Sequence, residues 1–132
     1  SLAIAAAATP QVEGITDVFA GTIPTPNGPA IDYVLTLNAE TNGTDTVYTL
    51  DMNYLDPAGK QQTKKETTTG MQKAISKVVN NTPKKAYKLI PSNGQKPLYF
   101  VVVNDTTLRL VKDSLLQETI SQSNYDIIKV QK

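Results

Sequence analysis

The sequence predicts an all-β domain, built as an antiparallel meander of eight or nine strands that closes into a barrel or folds as a sandwich. Residues 31–37 and 48–54 alternate apolar and polar side chains, which is the period of a half-buried strand. Turn residues separate the apolar runs at intervals of roughly 10–15 residues, and none of the runs favours a long helix. A length of 132 residues fits a single domain with its own core.

The strands can be placed in order from their apolar runs. An Asn42-Gly43 pair predicts a hairpin turn, and residues 98–103, the most hydrophobic run, predict a central strand. Residues 61–69 are polar and rich in threonine, so this strand should lie at an edge or be solvated. Residues 72–79 fit a strand or a helix, and their context favours a strand. The candidate strands are residues 15–22, 31–37, 48–54, 61–69, 72–79, 86–90, 98–103, 108–111 and 125–130, with a further possible stub at 116–120.

Two residue types are missing, because the chain has no cysteine and no histidine. A thiol nucleophile, a disulfide, a cysteine- or histidine-based zinc site and a histidine general base are therefore excluded. Ser76, Lys77 and Ser114 could form a serine–lysine pair only by residue type, so we expect the protein not to be an enzyme. We also expect no cofactor and no metal site, because Met52 and Met71 are the only soft ligands.

Charge is divided unevenly between the two halves of the sequence. Residues 1–59 carry seven acidic and no basic side chains, whereas residues 60–132 carry thirteen basic and five acidic ones. The halves either attract each other within one domain or form faces of opposite potential, one of which steers a partner. The net charge of +1 gives no indication of nucleic-acid binding, and no apolar run is long enough to predict a membrane-spanning helix.

Residues 21–29 form the most unusual stretch, with the sequence Gly-Thr-Ile-Pro-Thr-Pro-Asn-Gly-Pro. Proline fixes its own φ and restricts the residue before it, so this stretch predicts a stiff loop between two strands. Such a loop is either a rigid cap over one end of the domain or a preorganised surface for a partner. The candidate partner-binding residues are Thr22, Pro24, Thr25, Pro26, Asn27, Gly28 and Pro29.

Tyrosine supplies most of the aromatic side chains, six against two phenylalanines. A small barrel is just wide enough to be filled by side chains or to hold one small ligand. Tyrosine suits a partly hydrated cavity, because its ring is apolar while its hydroxyl needs a hydrogen-bond partner. The residues that could line such a cavity are Tyr33, Tyr48, Tyr54, Tyr87, Tyr99 and Tyr125.

Several runs together resemble the N-terminal domain of NlpE-type outer-membrane lipoproteins. Phe19-Ala20-Gly21-Thr22-Ile23-Pro24, followed by Pro29-Ala30-Ile31-Asp32-Tyr33-Val34-Leu35-Thr36-Leu37, is similar to the family's Gly-x-Leu/Ile-Pro-Cys-x-x-Cys-Pro-Gly-Ile and the alternating strand after it. Further similar runs are Gly43-Thr44, Val47-Tyr48-Thr49-Leu50, Tyr54-Leu55, Tyr99-Phe100-Val101, Leu108-Arg109-Leu110 and Ser121-Gln122-Ser123-Asn124-Tyr125-Asp126-Ile127. The resemblance implies a lipocalin-like β-barrel of about eight strands.

The family's paired cysteines are absent from this chain. Their Cys-x-x-Cys corresponds here to Thr25-Pro26-Asn27-Gly28, so redox sensing and copper binding through that motif are excluded. The resemblance also implies anchoring by a lipidated N-terminal cysteine, a periplasmic location, and an association with copper resistance and envelope or surface stress. Residues 1–12 then fit a tether or the remnant of a secretion signal, ahead of a single β-barrel domain over residues 13–132.

We therefore expect a non-enzymatic cell-envelope lipoprotein domain of NlpE type, acting as a sensor or interaction module in an envelope-stress or surface response. It would be a monomer on the periplasmic face of the outer membrane or at the cell surface. Its expected partner is an envelope protein and not a nucleic acid, and its membrane attachment is a lipid anchor upstream of the chain. The alternative is a lipocalin-like carrier that binds a small apolar ligand in the barrel.

Overall fold

Eight antiparallel strands form a closed barrel in the computed structural model, which describes residues 16–39, 46–118 and 122–130. Each strand pairs with the next along the chain, and the last pairs with the first. The predicted all-β barrel of about eight strands is therefore confirmed. The strands are β1 Thr16–Thr25, β2 Gly28–Ala39, β3 Thr46–Leu55, β4 Gln62–Val79, β5 Thr82–Pro91, β6 Leu98–Asn104, β7 Thr107–Val111 and β8 Asp126–Lys129.

The inward face of the strands builds one buried cluster. Leu35, Leu50, Leu89 and Phe100 have no exposed surface at all. Burying an aliphatic or aromatic side chain of this size is worth about 1.5–3 kcal/mol, so this cluster is the main source of the barrel's stability. Its members are Phe19, Ile23, Ile31, Tyr33, Leu35, Leu37, Tyr48, Leu50, Leu89, Phe100, Leu108 and Ile127.

Strand β4 is the longest strand of the barrel and is shared between two neighbours. It pairs with β3 up to Gln72 and with β5 from Gly70 onward. A Cβ atom at Gly70 would lie 1.9 Å from the carbonyl oxygen of Ile90, so only glycine permits this close approach of the two backbones. The residues before Gly70 are largely exposed, which agrees with the predicted solvated strand, and residues 72–79 form a strand as expected.

The antiparallel order gives the barrel two ends. The turn Pro26–Asn27 lies at one end, together with residues 56–61 and 92–97; we name this the hairpin end. The start of β1 lies at the opposite end, together with the turns at 80–81 and 105–106. We name this the ribbon end, after the long β4–β5 hairpin that turns there. Asn80 and Asn81 have φ angles of 51° and 66°, as a two-residue type I′ turn requires.

The structure corrects three local predictions. The Pro-rich stretch is mostly strand, because a register shift between Ile23 and Thr25 places Pro24 at an irregularity where its missing N–H breaks no regular ladder. Strand β5 begins at Thr82 and not at residue 86 as predicted, because the positive φ angles of Asn80 and Asn81 turn the chain within two residues. Residues 116–118 form no strand and instead lie outside the sheet.

Some predicted features fall on other parts of the chain. The tether at residues 1–12, the Asn42-Gly43 turn and residues 119–120 of the predicted stub lie outside the described residues. Within the described part of the chain, no helix is long and apolar enough to cross a membrane.

Candidate functional site

The hairpin of β1 and β2 brings all seven candidate partner-binding residues together. Thr25 and Gly28 lie opposite each other as the last residue pair, and Pro26 and Asn27 make the turn between them. The Thr25 hydroxyl donates a hydrogen bond to the carbonyl oxygen of Pro29 at 2.9 Å, which ties the two strands together beside the turn. Further down the hairpin, the Thr22 hydroxyl donates to the carboxylate of Asp32.

The tip of this hairpin is exposed and carries no charge. Pro24, Pro26, Asn27, Gly28 and Pro29 are exposed, whereas the neighbouring Ile23 is only 2% exposed and is part of the barrel core. An uncharged surface has little hydration to lose when a partner covers it. The hairpin is thus a stiff, uncharged projection that is fixed to the barrel by a buried side chain.

The six candidate tyrosines do not all face one cavity. Tyr33 and Tyr48 belong to the buried core, and Tyr54, Tyr87 and Tyr125 pack against it while partly exposed. Tyr99 packs against a different cluster on the outer face of the barrel, so its prediction as a cavity residue was wrong. The reason is strand alternation: its neighbours Leu98 and Phe100 face the interior, which turns Tyr99 outward.

The tyrosine hydroxyls act as structural hydrogen-bonding groups. Burial raises the pKa of Tyr33 and of Tyr48, although a hydrogen bond with Thr68 partly offsets this for Tyr48. Tyr54 donates a hydrogen bond to Glu66 Oε1 at 2.9 Å. The pKa of Tyr54 is raised mainly by burial, and the hydrogen bond to Glu66 and its negative charge raise it further. These phenols are therefore neutral at physiological pH, and the described core side chains pack against one another, which favours a filled barrel over a ligand cavity.

A second hydrophobic cluster, which was not predicted from the sequence, covers the outer face of β5, β6 and β7. Residues 112–118, which we name the strap, leave the end of β7 and lie over this face. Leu116 of the strap has no exposed surface and packs in the cluster with Ala86, Val101 and Val111. The strap therefore hides apolar side chains that alternation places on the outside of the sheet.

Ion pairs hold the end of the strap. Glu118 accepts hydrogen bonds from Lys84 and from Arg109, the latter at 2.7 Å. Arg109 also binds the carboxylate of Asp126 through two nitrogens, with Nε to Oδ1 at 2.6 Å and Nη2 to Oδ2 at 3.1 Å. Further along, Lys77 donates to the main-chain carbonyl of Ser114 at 2.6 Å, and this contact uses the carbonyl and not the hydroxyl that a serine nucleophile would need.

The charges in this network stabilise one another. The hydrogen bond to Asp126 raises the pKa of Arg109, and the bond to Glu118 adds to it. Burial alone would raise the pKa of Glu118, but the bonds from Lys84 and Arg109 outweigh it and hold that pKa below its usual range. Arg109 is the sole arginine of the chain, and that was the one signal in the sequence that could have pointed to this network.

Open grooves flank the strap near the ribbon end. One of about 410 Å³ is lined by Val79, Asn80, Thr82, Lys84, Gln117 and Glu118. Another, of about 320 Å³, shares Thr82, Lys84 and Glu118 with it and extends to Val101 and Arg109. In residues 16–39, 46–118 and 122–130, no group of three or more carboxylates is placed to hold a metal ion.

Comparison with known protein families matches residues 19–120 to the NlpE N-terminal domain. The matched span covers most of the chain and includes nearly all of strands β1 to β7. The chain belongs to the NlpE N-terminal domain family. NlpE is a family of bacterial envelope lipoproteins, so membership supports an envelope lipoprotein domain. No curated protein and no solved structure matches the chain.

In this NlpE-family domain, the hairpin turn is the place where the family's cysteine pair would lie. Thr25 and Gly28, which the resemblance aligns with the two cysteines, face each other directly across the strands. With threonine and glycine at these two positions, the turn offers no thiolate for redox chemistry or metal binding.

Proposed function

We propose that this NlpE-family domain is a non-enzymatic lipoprotein domain of the bacterial cell envelope that works as an interaction module or sensor. It would act in an envelope-stress or surface response, at the periplasmic face of the outer membrane or at the cell surface. The observation that carries the proposal is the uncharged, exposed β1–β2 hairpin mounted on a barrel whose described interior is packed.

Rigidity is the reason for placing the contact surface on the hairpin. Pro24, Pro26 and Pro29 limit the backbone, and the bond from Thr25 to the Pro29 carbonyl links the strands beside the turn. A partner that binds such a surface spends little of its interaction energy on ordering it. Ile23, next to the tip, is buried in the core, so a partner that displaces the hairpin would also disturb the packing of the barrel core.

The carrier alternative is weaker on the same observations. A carrier needs space inside the barrel, and the described interior positions are taken by mutually packed aliphatic and aromatic side chains. A titration with a fluorescent apolar probe such as N-phenyl-1-naphthylamine separates the two functions. Saturable enhancement at one probe per protein, lost when Leu50 is replaced by a larger aromatic residue, would support the carrier.

The interaction module is tested by replacing Pro24, Pro26 and Pro29 together with glycine. The full chain is expressed behind a lipoprotein signal in a bacterium that carries an envelope-stress reporter. We expect unchanged abundance and barrel stability within about 1–2 kcal/mol, with a clear loss of reporter response, because only the hairpin loosens. The matched control is Pro57→Gly with Pro97→Gly, two prolines in other connections at the same end. If the triple variant signals at the wild-type level, the hairpin is only a rigid cap over one end of the barrel and not a contact surface.

A further inference from the structure

The projecting part of the β4–β5 hairpin is the most basic element of the molecule. We name residues 73–88 the ribbon; its tip, residues 73–85, lies beyond the described pairing with β3 and β6. From residue 67 to residue 104 the chain has six lysines and no acidic residue, and five of those lysines are in the ribbon. They are Lys73, Lys77, Lys84, Lys85 and Lys88.

The ribbon places like charges against each other. Lys73 lies directly opposite Lys88, and Lys77 lies directly opposite Lys84. Like charges in opposed positions destabilise a strand pair, so this arrangement costs folding free energy. The strap relieves the second pair, because Glu118 binds Lys84, while Lys73 and Lys85 are exposed. A concentration of positive charge that opposes folding is best explained by an anionic surface outside the barrel.

Apolar side chains are exposed at the same end. Val78, one residue pair from the turn, is 69% exposed, and Pro83 opposite it is exposed as well. Val103 at the end of β6 is 40% exposed, and Val130 after β8 is 45% exposed. The ribbon end therefore combines aliphatic side chains at its tips with lysines behind them.

We propose that the ribbon end docks on an anionic lipid membrane, with Val78 at the level of the headgroups and the exposed Lys73 and Lys85 facing lipid phosphates. Aliphatic tips flanked by lysines are the chemistry of interfacial membrane contact, since the apolar atoms leave water while the cations stay beside the phosphates. Among the described residues of this end, Asp17 is paired with Lys129 at 3.3 Å and Glu118 with Lys84, whereas Asp105 is exposed and weakens the attraction. The proposal goes beyond the sensor role and does not depend on it.

The absence of tryptophan from the chain permits a direct test of insertion. Val78→Trp introduces a single tryptophan at the ribbon tip, and Ala58→Trp introduces one in an exposed turn at the hairpin end. The probe is a vesicle of phosphatidylglycerol and phosphatidylcholine in roughly equal amounts, with pure phosphatidylcholine for comparison. We expect a blue shift of the Val78→Trp emission with the anionic vesicles only, and no shift for Ala58→Trp.

Charge reversal tests the lysines independently of insertion. Lys73→Glu with Lys85→Glu should weaken vesicle binding at least about 20-fold, because each lysine near an anionic surface contributes about a factor of five. The variant should stay folded, since a glutamate at 73 faces Lys88 and a glutamate at 85 faces Ser76. Lys60→Glu with Lys96→Glu makes the same charge change at the hairpin end and should leave binding within about twofold.

The outcomes separate this docking surface from its alternatives. Loss of vesicle binding when salt is raised to about 0.5 M, together with the two selective effects above, would support it. Equal binding to phosphatidylcholine alone, an unshifted Val78→Trp signal, or equal weakening by both charge reversals would overturn it. A single-stranded oligonucleotide that binds as tightly as the anionic vesicles, without moving the Val78→Trp emission, would overturn it in favour of general polyanion binding.

Discussion

Thr25 and Gly28 face each other across the tip of the β1–β2 hairpin, at the two positions that the sequence resemblance aligns with the paired cysteines of the NlpE family. A Cβ atom built on Gly28 would lie 3.3 Å from the Thr25 hydroxyl oxygen. Directly opposed residues of this kind are within the Cα and Cβ separations that a disulfide requires. Two cysteines at these positions would therefore be close enough to form a disulfide.

Restoring the two thiols should restore metal binding. Thr25→Cys with Gly28→Cys should bind one Cu(I) per chain under reducing conditions and form a disulfide under oxidising ones, because thiolates are the ligands that Cu(I) prefers. The wild-type chain, with no thiolate or imidazole, should show no tight site in the same competition titration. Thr25→Cys alone is the control for a single thiol, and stoichiometric tight binding by the wild type would contradict our expectation of no metal site.

Leu116 should be the main anchor of the strap. Leu116→Ala removes a side chain with no exposed surface, so we expect the free energy of unfolding to fall by about 2–4 kcal/mol. Leu115→Ala, one residue earlier and 55% exposed, is the matched control and should change it by less than about 0.5 kcal/mol. Urea denaturation of both variants measures the difference, and equal effects would show that the strap is not held by the outer cluster.

Gly70 should not tolerate a side chain. Gly70→Ala would place a methyl group on the Ile90 carbonyl and force β4 and β5 apart, so we expect a loss of about 3 kcal/mol or more. Gly59→Ala is the control, because nothing lies within 4 Å of a Cβ there and only its φ of 73° opposes the change. That variant should lose about 1 kcal/mol. Thermal unfolding distinguishes the two, and a harmless Gly70→Ala would contradict the close strand approach.

Acid should weaken the hold on the strap. The pKa of Glu118 is lower in the folded chain than in the unfolded one. The ionised carboxylate therefore contributes its full stabilisation of the fold at pH values above the unfolded-state pKa. That stabilisation is lost as the pH falls through the folded-state pKa. We expect Glu118→Gln to cost about 1–2 kcal/mol at pH 7 and to flatten the loss of stability between about pH 5 and pH 3. Gln117→Ala, an exposed neighbour, is the control. An unchanged pH profile in Glu118→Gln would exclude this role.

Prediction from the sequence succeeded where the signal is local. The alternation in residues 31–37 and 48–54 placed Tyr33, Leu35, Tyr48 and Leu50 in the core, and all four are buried. Strict alternation along β6 would also have predicted that Tyr99 points outward, because its neighbours Leu98 and Phe100 point inward. The Pro-rich stretch was located correctly, but the bulge that lets proline continue a strand depends on the register with β2.

The strap could not be predicted from local pattern. Leu115 and Leu116 resemble the start of a short strand, and only tertiary packing decides that one is buried and the other exposed. Lys84, Arg109 and Glu118 lie far apart in the sequence and meet only once β5, β7 and the strap are in place. Among the described residues, two ion pairs join the acidic and basic halves, Asp51 with Lys65 and Asp17 with Lys129, but both are partly exposed and each is worth little alone.

The barrel is closed by a short seam. Within the described residues, β1 and β8 meet in two residue pairs, Phe19 with Lys129 and Ala20 with Ile128, whereas the β1–β2 and β2–β3 hairpins share nine each. Each hairpin can form from adjacent residues, but the seam must close a loop of almost the whole chain, so its formation is the slow, entropically unfavourable step of folding. Backbone amides at the seam should accordingly exchange with solvent before those between β2 and β3. When the seam opens briefly, the closed barrel becomes an open sheet whose two unpaired edge strands can pair with another chain.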